Sequence, residues 1–286
     1  MPRRNHTKMG ILKYTHTCVF TIVLHAPSCF PGFVKLGIIL INLDRSPDRL
    51  RAMAAQLDAT GLPWERLAAT DGRALDAEPL SRAYSPELNR KQNNRDLAPG
   101  QIACFTSHRR AWRRIAESGW DGGIVLEDDV VLAEFFPEAV HALASAPGCW
   151  NALKLHGSRS RPVVRRARLD NGPRWTLGDY RKIPIWSGAQ ALTASAAAQL
   201  FFATRTFGRP VDVAEQWWWE TGVRFQALEP YPIAPAAAAS MTDRGKGERR
   251  RFARLKQQLI YNMTIYPLNF ALFGWRGIFG RANEQA

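Results

Sequence analysis

A chain of 286 residues, 46% hydrophobic and 22% charged, has the balance of a globular protein and can bury one large α/β core or two small ones. Its formal net charge of +14 suggests a nucleic-acid binder only until it is divided along the chain. Residues 1–35 hold five Lys/Arg and no acid, residues 244–286 hold nine basic against two acidic residues, and residues 36–243 keep a net charge of +2. A nearly neutral body with basic ends argues against a nucleic acid gripped by the fold and for an anionic surface as partner.

Residues 1–35 read as a poorly structured N-terminal extension, with a mis-assigned start as one explanation. Its apolar run, residues 18–24, stops at His25, Ala26 and Pro27, far short of the roughly 20 residues a spanning helix needs, and no clean cleavage site follows. Cys18, Cys29, Cys104 and Cys149 are scattered without a CxxC pair or metal spacing, the pattern of unpaired thiols in a reducing compartment.

The first convincing strand is residues 36–43, nearly all apolar, followed by a tight loop and a helix with Ser46 as N-cap, Pro47 in the first turn, and Leu50, Met53, Ala54 and Leu57 at helical spacing. Residues 64–69 read as a second strand entering the turn Thr70-Asp71-Gly72, and the polar residues 76–97 as a surface excursion. A helix begins near Pro99 with Ile102, Phe105, Trp112 and Ile115 on one face, His108 among them, and Arg109, Arg110, Arg113 and Arg114 largely on the other. Further along, residues 135–145 predict a helix, 151–155 a strand, 159–181 an Arg-rich and turn-rich segment, 186–193 a strand, 195–203 a helix and 211–220 a helix started by Pro210. Strands alternating with helices predict an α/β fold with a mostly parallel sheet over residues 36–243, followed by a basic, helical tail over 244–286.

One run stands out: Gly123-Ile124-Val125-Leu126-Glu127-Asp128-Asp129-Val130-Val131-Leu132, three carboxylates inside an apolar stretch. Burying three acids is costly unless a positive charge sits among them, and acids at a strand's carboxyl end face the crevice where open α/β sheets bind ligands. Strand alternation would put Glu127 and Asp129 on one side and Asp128 on the other. Hard oxygen ligands suit Mg²⁺ or Mn²⁺ bridging phosphates, while a solvated acidic turn is the plain alternative. The same triplet would serve a phosphohydrolase or a nucleotidyltransferase.

The acids arrive in a longer order: Ile41-Asn42-Leu43-Asp44-Arg45-Ser46-Pro47-Asp48-Arg49-Leu50, then Ala103-Cys104-Phe105-Thr106-Ser107-His108-Arg109-Arg110-Ala111-Trp112, then Val125-Leu126-Glu127-Asp128-Asp129-Val130. With the later blocks Ser187-Gly188-Ala189-Gln190-Ala191-Leu192 and Arg209-Pro210-Val211-Asp212, the chain resembles glycosyltransferase family 25 over about residues 36–235. The resemblance implies a GT-A-like single domain that takes a UDP-hexose, galactose or glucose, with a divalent metal, Mn²⁺ or Mg²⁺, at a D-x-D-like motif. Mapped onto this chain, Asp129 and Glu127 are the expected metal ligands, with Glu127 the departure from strict D-x-D. Asn42, Arg45, Arg49, Ser107, His108 and Asp128 are the expected donor-binding residues. Asp212 is the expected catalytic base for an inverting transfer, with Glu215 and Glu220 behind it and Trp217-Trp218-Trp219 as a sugar-stacking platform.

A polybasic stretch from Arg244 to Lys256 precedes an aromatic, apolar one from Leu259 to Phe279, which suits peripheral attachment to an anionic membrane, and a packed or disordered tail is the alternative. The expectation is a metal-assisted, inverting hexosyltransferase acting on a lipid-linked or lipopolysaccharide-type glycan at the cytoplasmic face of a bacterial inner membrane. Its rivals are a non-catalytic basic protein binding anionic polymers or membranes, and a metal-dependent phosphohydrolase.

Overall fold

The structure is a computed structural model that describes residues 34–73, 82–157, 163–169, 172–235 and 251–279. Chain order is β1 (Leu36–Asn42), α1 (Pro47–Ala59), β2 (Trp64–Ala68), α2 (Pro86–Gln92), α3 (Pro99–Glu117), β3 (Gly122–Glu127), β4 (Val130–Leu132), α4 (Phe136–Ala144), β5 (Ala152–Lys154), β6 (Val163–Leu169) and β7 (Gly172–Tyr180). There follow β8 (Ala189–Thr193), α5 (Ala194–Ala203), α6 (Val211–Gln216), α7 (Trp218–Thr221), β9 (Gln226–Glu229), β10 (Ile233–Pro235), α8 (Arg251–Phe273) and α9 (Arg276–Phe279). This is the expected α/β, GT-A-like domain, with a mixed sheet where a mostly parallel one was expected. Its eight-stranded sheet runs β2-β1-β3-β8-β5-β9-β7-β6, parallel where β1 pairs with β2 and β3 and where β5 pairs with β9, and antiparallel at the other joins.

Alternation along β1 explains the layering. Ile39 and Ile41 point into a core with Phe105, Trp112 and Ile115 of α3 and Ala196, Ala197 and Leu200 of α5. Ile38 and Leu40 point the other way, against Met53 and Leu57 of α1 and Phe136, Val140 and Leu143 of α4. A sheet buried on both faces reads as a continuous apolar run rather than an alternating one, which is why β1 and β3 are legible in sequence. Gly123 in β3 is required by this packing: a Cβ there would stand 2.6 Å from the Ile115 side chain of α3.

Several expectations change. The segment 159–181 contains the β6–β7 pair at the sheet edge, where Arg165 and Arg166 pair with Asp179 and Glu229 and four consecutive exposed positions, 165–168, leave β6 without an alternating apolar signal. The 76–97 excursion contains α2, begun by Ser85, whose side chain accepts a hydrogen bond from Leu88 N. Ser46, by contrast, makes no side-chain cap on α1. The single helix expected over 211–220 is broken at Trp217 into α6 and α7. Arg109 is buried rather than on a polar face, with its guanidinium donating to Phe201 O and Thr204 Oγ1 at 2.9 and 2.8 Å. Of the cysteines, Cys104 is a free thiol, whereas Cys149 is disulfide-bonded and corrects the expectation of four unpaired thiols. Cys18, Cys29 and the N-terminal extension, apart from residues 34 and 35, lie outside the described residues, as does the polybasic stretch 244–250.

Candidate functional site

β1 and β3 run side by side with Ile41 opposite Glu127, so the loops leaving their carboxyl ends share one rim. There a cleft of about 670 Å³, solvent included, is walled by Asn42, Arg45 and Arg49 after β1, by Thr70 and Gly72, and by Cys104, Ser107 and His108 of α3. Glu127, Asp128 and Asp129 complete it. A parallel sheet edge of this kind is where α/β folds take their ligands. Gly72 is part of the wall's construction, since a Cβ there would meet Gly100 N and Pro99 C at 2.9 Å.

The three acids are held differently. Glu127 accepts from His108 Nε2 at 2.8 Å, Ser187 Oγ at 3.3 Å and Cys104 Sγ at 3.9 Å, all at Oε1, while Oε2 takes none of these bonds. Burial pushes Glu127 up, but the His108 bond, His108's charge interaction, Ser187 and Lys154 together leave its carboxyl below the ordinary range. Asp128 accepts from Asn42 Nδ2 at 2.6 Å and from Arg49 Nη1 at 3.1 Å. Asp129 has a buried Oδ1 with no hydrogen-bond partner, and burial plus the charges of Glu127 and Asp128 push its carboxyl up to about 6. The strand ends at Glu127, so the alternation that would turn Asp128 away does not extend to it: all three acids line the same cleft.

The expected donor-binding residues are brought to this cleft, but several are already engaged. Asn42, 1% exposed, gives both amide protons to Ser46 O and Asp128 and accepts from Arg66 Nε at Oδ1, so neither N–H is left for a base or ribose edge. Arg45 pairs with Asp71 at 2.9 Å and Arg49 with Asp128. Ser107 Oγ donates to Ala103 O and accepts from Thr70 N, tying the 70–72 turn to α3. His108 is fully buried between Glu127 and Gln190, whose Nε2 lies 3.5 Å from Nδ1.

Asp212 is not among the residues lining the cleft, yet it belongs to the same electrostatic neighbourhood. Burial and the charge of Glu215 push it up to about 6, with Glu127 adding to the rise and Lys154 opposing it. The Cys104 thiol is raised by burial and by the charges of Glu127, Asp212, Glu215 and Asp129 together. The two reserve bases are committed elsewhere: Glu215, 1% exposed, is ion-paired with Lys154 and accepts from Gln190 Nε2 at 2.8 Å, and Glu220 is paired with Arg209. Trp217 and Trp218 are buried and Trp217 lies under the Arg209 guanidinium, which removes both from a sugar-stacking role.

For a divalent cation the oxygen donors of Glu127 and Asp129 fit: they are hard ligands in one cleft, and the orphaned Asp129 Oδ1 is an acceptor in need of a positive partner. Cys104, His108 and Glu127 also bring one donor atom each within 4.8 Å of one another. With its thiol held protonated and the imidazole bonded to Glu127, that grouping suits a hard cation less well.

Lys154, Gln190 and Ser187 behind the site were missed from sequence. The signal was present in a polar residue set inside each of two apolar strands, Lys154 in Ala152–Lys154 and Gln190 in Ala189–Thr193.

Residues 35–166 match the model of "Glycosyltransferase family 25 (LPS biosynthesis protein)", which takes in the β1 loop, the Ser107-His108 pair and the acidic triplet and ends before Asp212. A glycosyltransferase 25 family member of Aedes aegypti is 32% identical over 153 residues, 50% of this chain and 24% of that protein. Procollagen galactosyltransferase 1 of Danio rerio is 31% identical over 115 residues, 38% of this chain and 19% of the relative. Procollagen galactosyltransferase 1-A of Xenopus laevis is 26% identical over 189 residues, 60% and 31% respectively. The chain therefore spans less than a third of the length of these relatives. On its α/β architecture, its acidic cleft and these matches, the chain is similar to glycosyltransferase family 25 over residues 35–166.

Proposed function

We propose that this chain transfers a hexose, galactose or glucose, from a UDP-sugar to a lipopolysaccharide-type or lipid-linked glycan, with inversion at the anomeric carbon. The observation that carries the reading is the cleft at the β1 and β3 ends, lined by the ionised Glu127 and by Asp129 with its orphaned Oδ1. Glu127 and Asp129 are the residues to hold Mn²⁺ or Mg²⁺. When bound, such an ion supplies charge stabilisation for the departing diphosphate without any proton transfer. Arg45 and Arg49 line the same cleft and complement an anionic donor.

Asp212 is the base in this reading. A carboxylate raised to about 6 is ionised at neutral pH yet basic enough to receive an acceptor hydroxyl proton as the new glycosidic bond forms. What supports the lipopolysaccharide-type acceptor is the description of the matched family, and what supports galactose is the names of the two procollagen galactosyltransferases. The location that goes with this acceptor is the cytoplasmic face of a bacterial inner membrane.

The test is a screen of nucleotide sugars for UDP release by the full chain, with Mn²⁺ and with EDTA, followed by acceptor profiling. Metal-dependent UDP release that disappears in Asp129→Ala supports the reading. Release of inorganic phosphate from simple phosphomonoesters, with no nucleotide-sugar turnover, assigns the cleft to a phosphohydrolase instead.

A further inference from the structure

We propose that α8 and α9 form a docking face that lies in the plane of an anionic lipid leaflet. Phe252, Leu255, Leu259, Met263 and Phe270 are 89, 68, 60, 67 and 44% exposed. At 100° per residue Phe252, Leu255, Leu259 and Met263 fall within an arc of about 80°, an apolar ridge along the part of α8 that precedes Pro267, with Phe270 following beyond that proline. The other side of α8 is the docked side. Tyr261, Ile265 and Asn269, spaced four apart, are buried. Tyr261 packs on Trp217 and Trp219 with ring centroids 5.6 and 5.4 Å away, and Asn269 Nδ2 donates to Arg181 O at 2.8 Å. The ridge is thus held outward by a helix already fixed to the domain.

The far end adds an aromatic cluster. The chain turns at Gly274, φ +61°, and Trp275 meets Phe270 at 5.2 Å and Phe279 at 6.0 Å, with Trp275 and Phe279 69 and 73% exposed. Exposed Trp and Phe beside an amphipathic helix suit the boundary between headgroups and acyl chains. Charge selects the occupant. Arg254 and Lys256 are exposed on α8, which begins at Arg251, and the sequence just before it carries Arg244, Lys246, Arg249 and Arg250. Anionic headgroups complement such a cluster, whereas a second copy would set two clusters of the same sign against each other. No helix among the described residues is long and apolar enough to cross a membrane, so the contact runs along the surface.

The anchoring gives the docking a consequence. Tyr261 fastens α8 to the tryptophans that follow α6, the helix of Asp212, so a docked α8 holds the Asp212 end of the domain at the lipid surface, where a lipid-linked acceptor is presented. That consequence rests on the proposed role of Asp212; the docking itself does not.

The experiment is co-sedimentation of the full chain with phosphatidylcholine vesicles, with and without phosphatidylglycerol, beside light scattering of the free protein. Binding to the anionic vesicles is expected to exceed binding to neutral ones by about tenfold or more and to fall with salt. Replacing Phe252, Leu255, Leu259 and Met263 together by Ser is expected to lower it by at least about tenfold with the circular dichroism spectrum unchanged. Arg254→Gln with Lys256→Gln, which spares the ridge, is expected to cost about tenfold on anionic vesicles alone. No preference for anionic vesicles, or binding that survives the ridge substitutions, overturns the proposal. So does a stable dimer that those substitutions dissociate, which would give the ridge to a second copy. Vesicle binding is read without turnover, so failure of the catalytic reading leaves its outcome legible.

Discussion

His108 Nε2 stands 2.8 Å from Glu127 Oε1, and this contact joins a fully buried imidazole on α3 to a carboxylate at the cleft. The Glu127 carboxylate can only accept, so Nε2 carries the proton given to it, while Gln190 Nε2 lies 3.5 Å from Nδ1 on the opposite side of the ring. Gln190 is itself fixed by Glu215 and Ser187 O. The ring therefore orients Glu127 and keeps it charged from behind, as outer-shell partners do for metal-binding carboxylates. His108→Ala is expected to raise the Mn²⁺ concentration needed for half-maximal UDP release by about 10–100-fold, and His108→Gln, which retains an N–H donor, to recover part of it. A metal titration of turnover checks this; an unchanged metal requirement in His108→Ala would show that the ring only fills space.

Asp129 pays in stability for its place at the cleft. Its folded value of about 6 lies above the ordinary 3.8, because burial and two neighbouring acids disfavour the charge. The folded state thus holds the proton more tightly than the unfolded one, so stability falls as pH rises from about 4 through 6 and the whole penalty is present above that. Allowing for partial exposure, this amounts to about 1–3 kcal/mol. Asp129→Asn is expected to raise the metal-free melting temperature at pH 7.5 by roughly 5 °C while abolishing metal-dependent UDP release. Thermal unfolding at pH 4 and at pH 7.5 checks the sign: the gain should vanish at the lower pH.

What was legible in the sequence follows from how each part is buried. β1 and β3 announce themselves as unbroken apolar runs because helices cover both faces, and the acidic triplet is conspicuous because it interrupts such a run. β6 and β7 stayed hidden because an edge hairpin that pairs Arg165 and Arg166 with acids on other strands carries no apolar period. The partition among Glu127, Asp128 and Asp129 was hidden too, since it depends on β3 stopping at Glu127 and on Asn42 and Arg49 reaching across from another loop. Asp212 and Glu215 look alike as acids three residues apart on one short helix. Only the position of Lys154, 61 residues away in sequence, separates a committed acid from an available one.

Lys154 and Glu215 are 0 and 1% exposed in their side chains, and the pair is a brace between β5 and α6. Removing one partner leaves a buried charge uncompensated. Lys154→Met is expected to destabilise the fold by about 3–5 kcal/mol in urea unfolding. Lys154→Met with Glu215→Leu should cost less than the two single changes added together by about 2 kcal/mol or more, because no lone charge remains. Strict additivity would mean that the two side chains do not act as a pair.

Asp212 sets the acid side of the activity profile if it takes the acceptor proton. Only its carboxylate form accepts a proton, so kcat/KM should fall as pH drops through about 6, with Asp212→Asn lower by about 10²–10⁴-fold at pH 7.5. Asp129 has a similar value in the free protein, but a bound cation favours its ionised form, so at saturating Mn²⁺ the limb near 6 should persist from Asp212 alone. Lys154 supplies the discriminating measurement, since its positive charge lowers Asp212. In Lys154→Met, assayed where the protein remains folded, the acid limb should move to higher pH, and a limb that stays in place would assign it to a group other than Asp212.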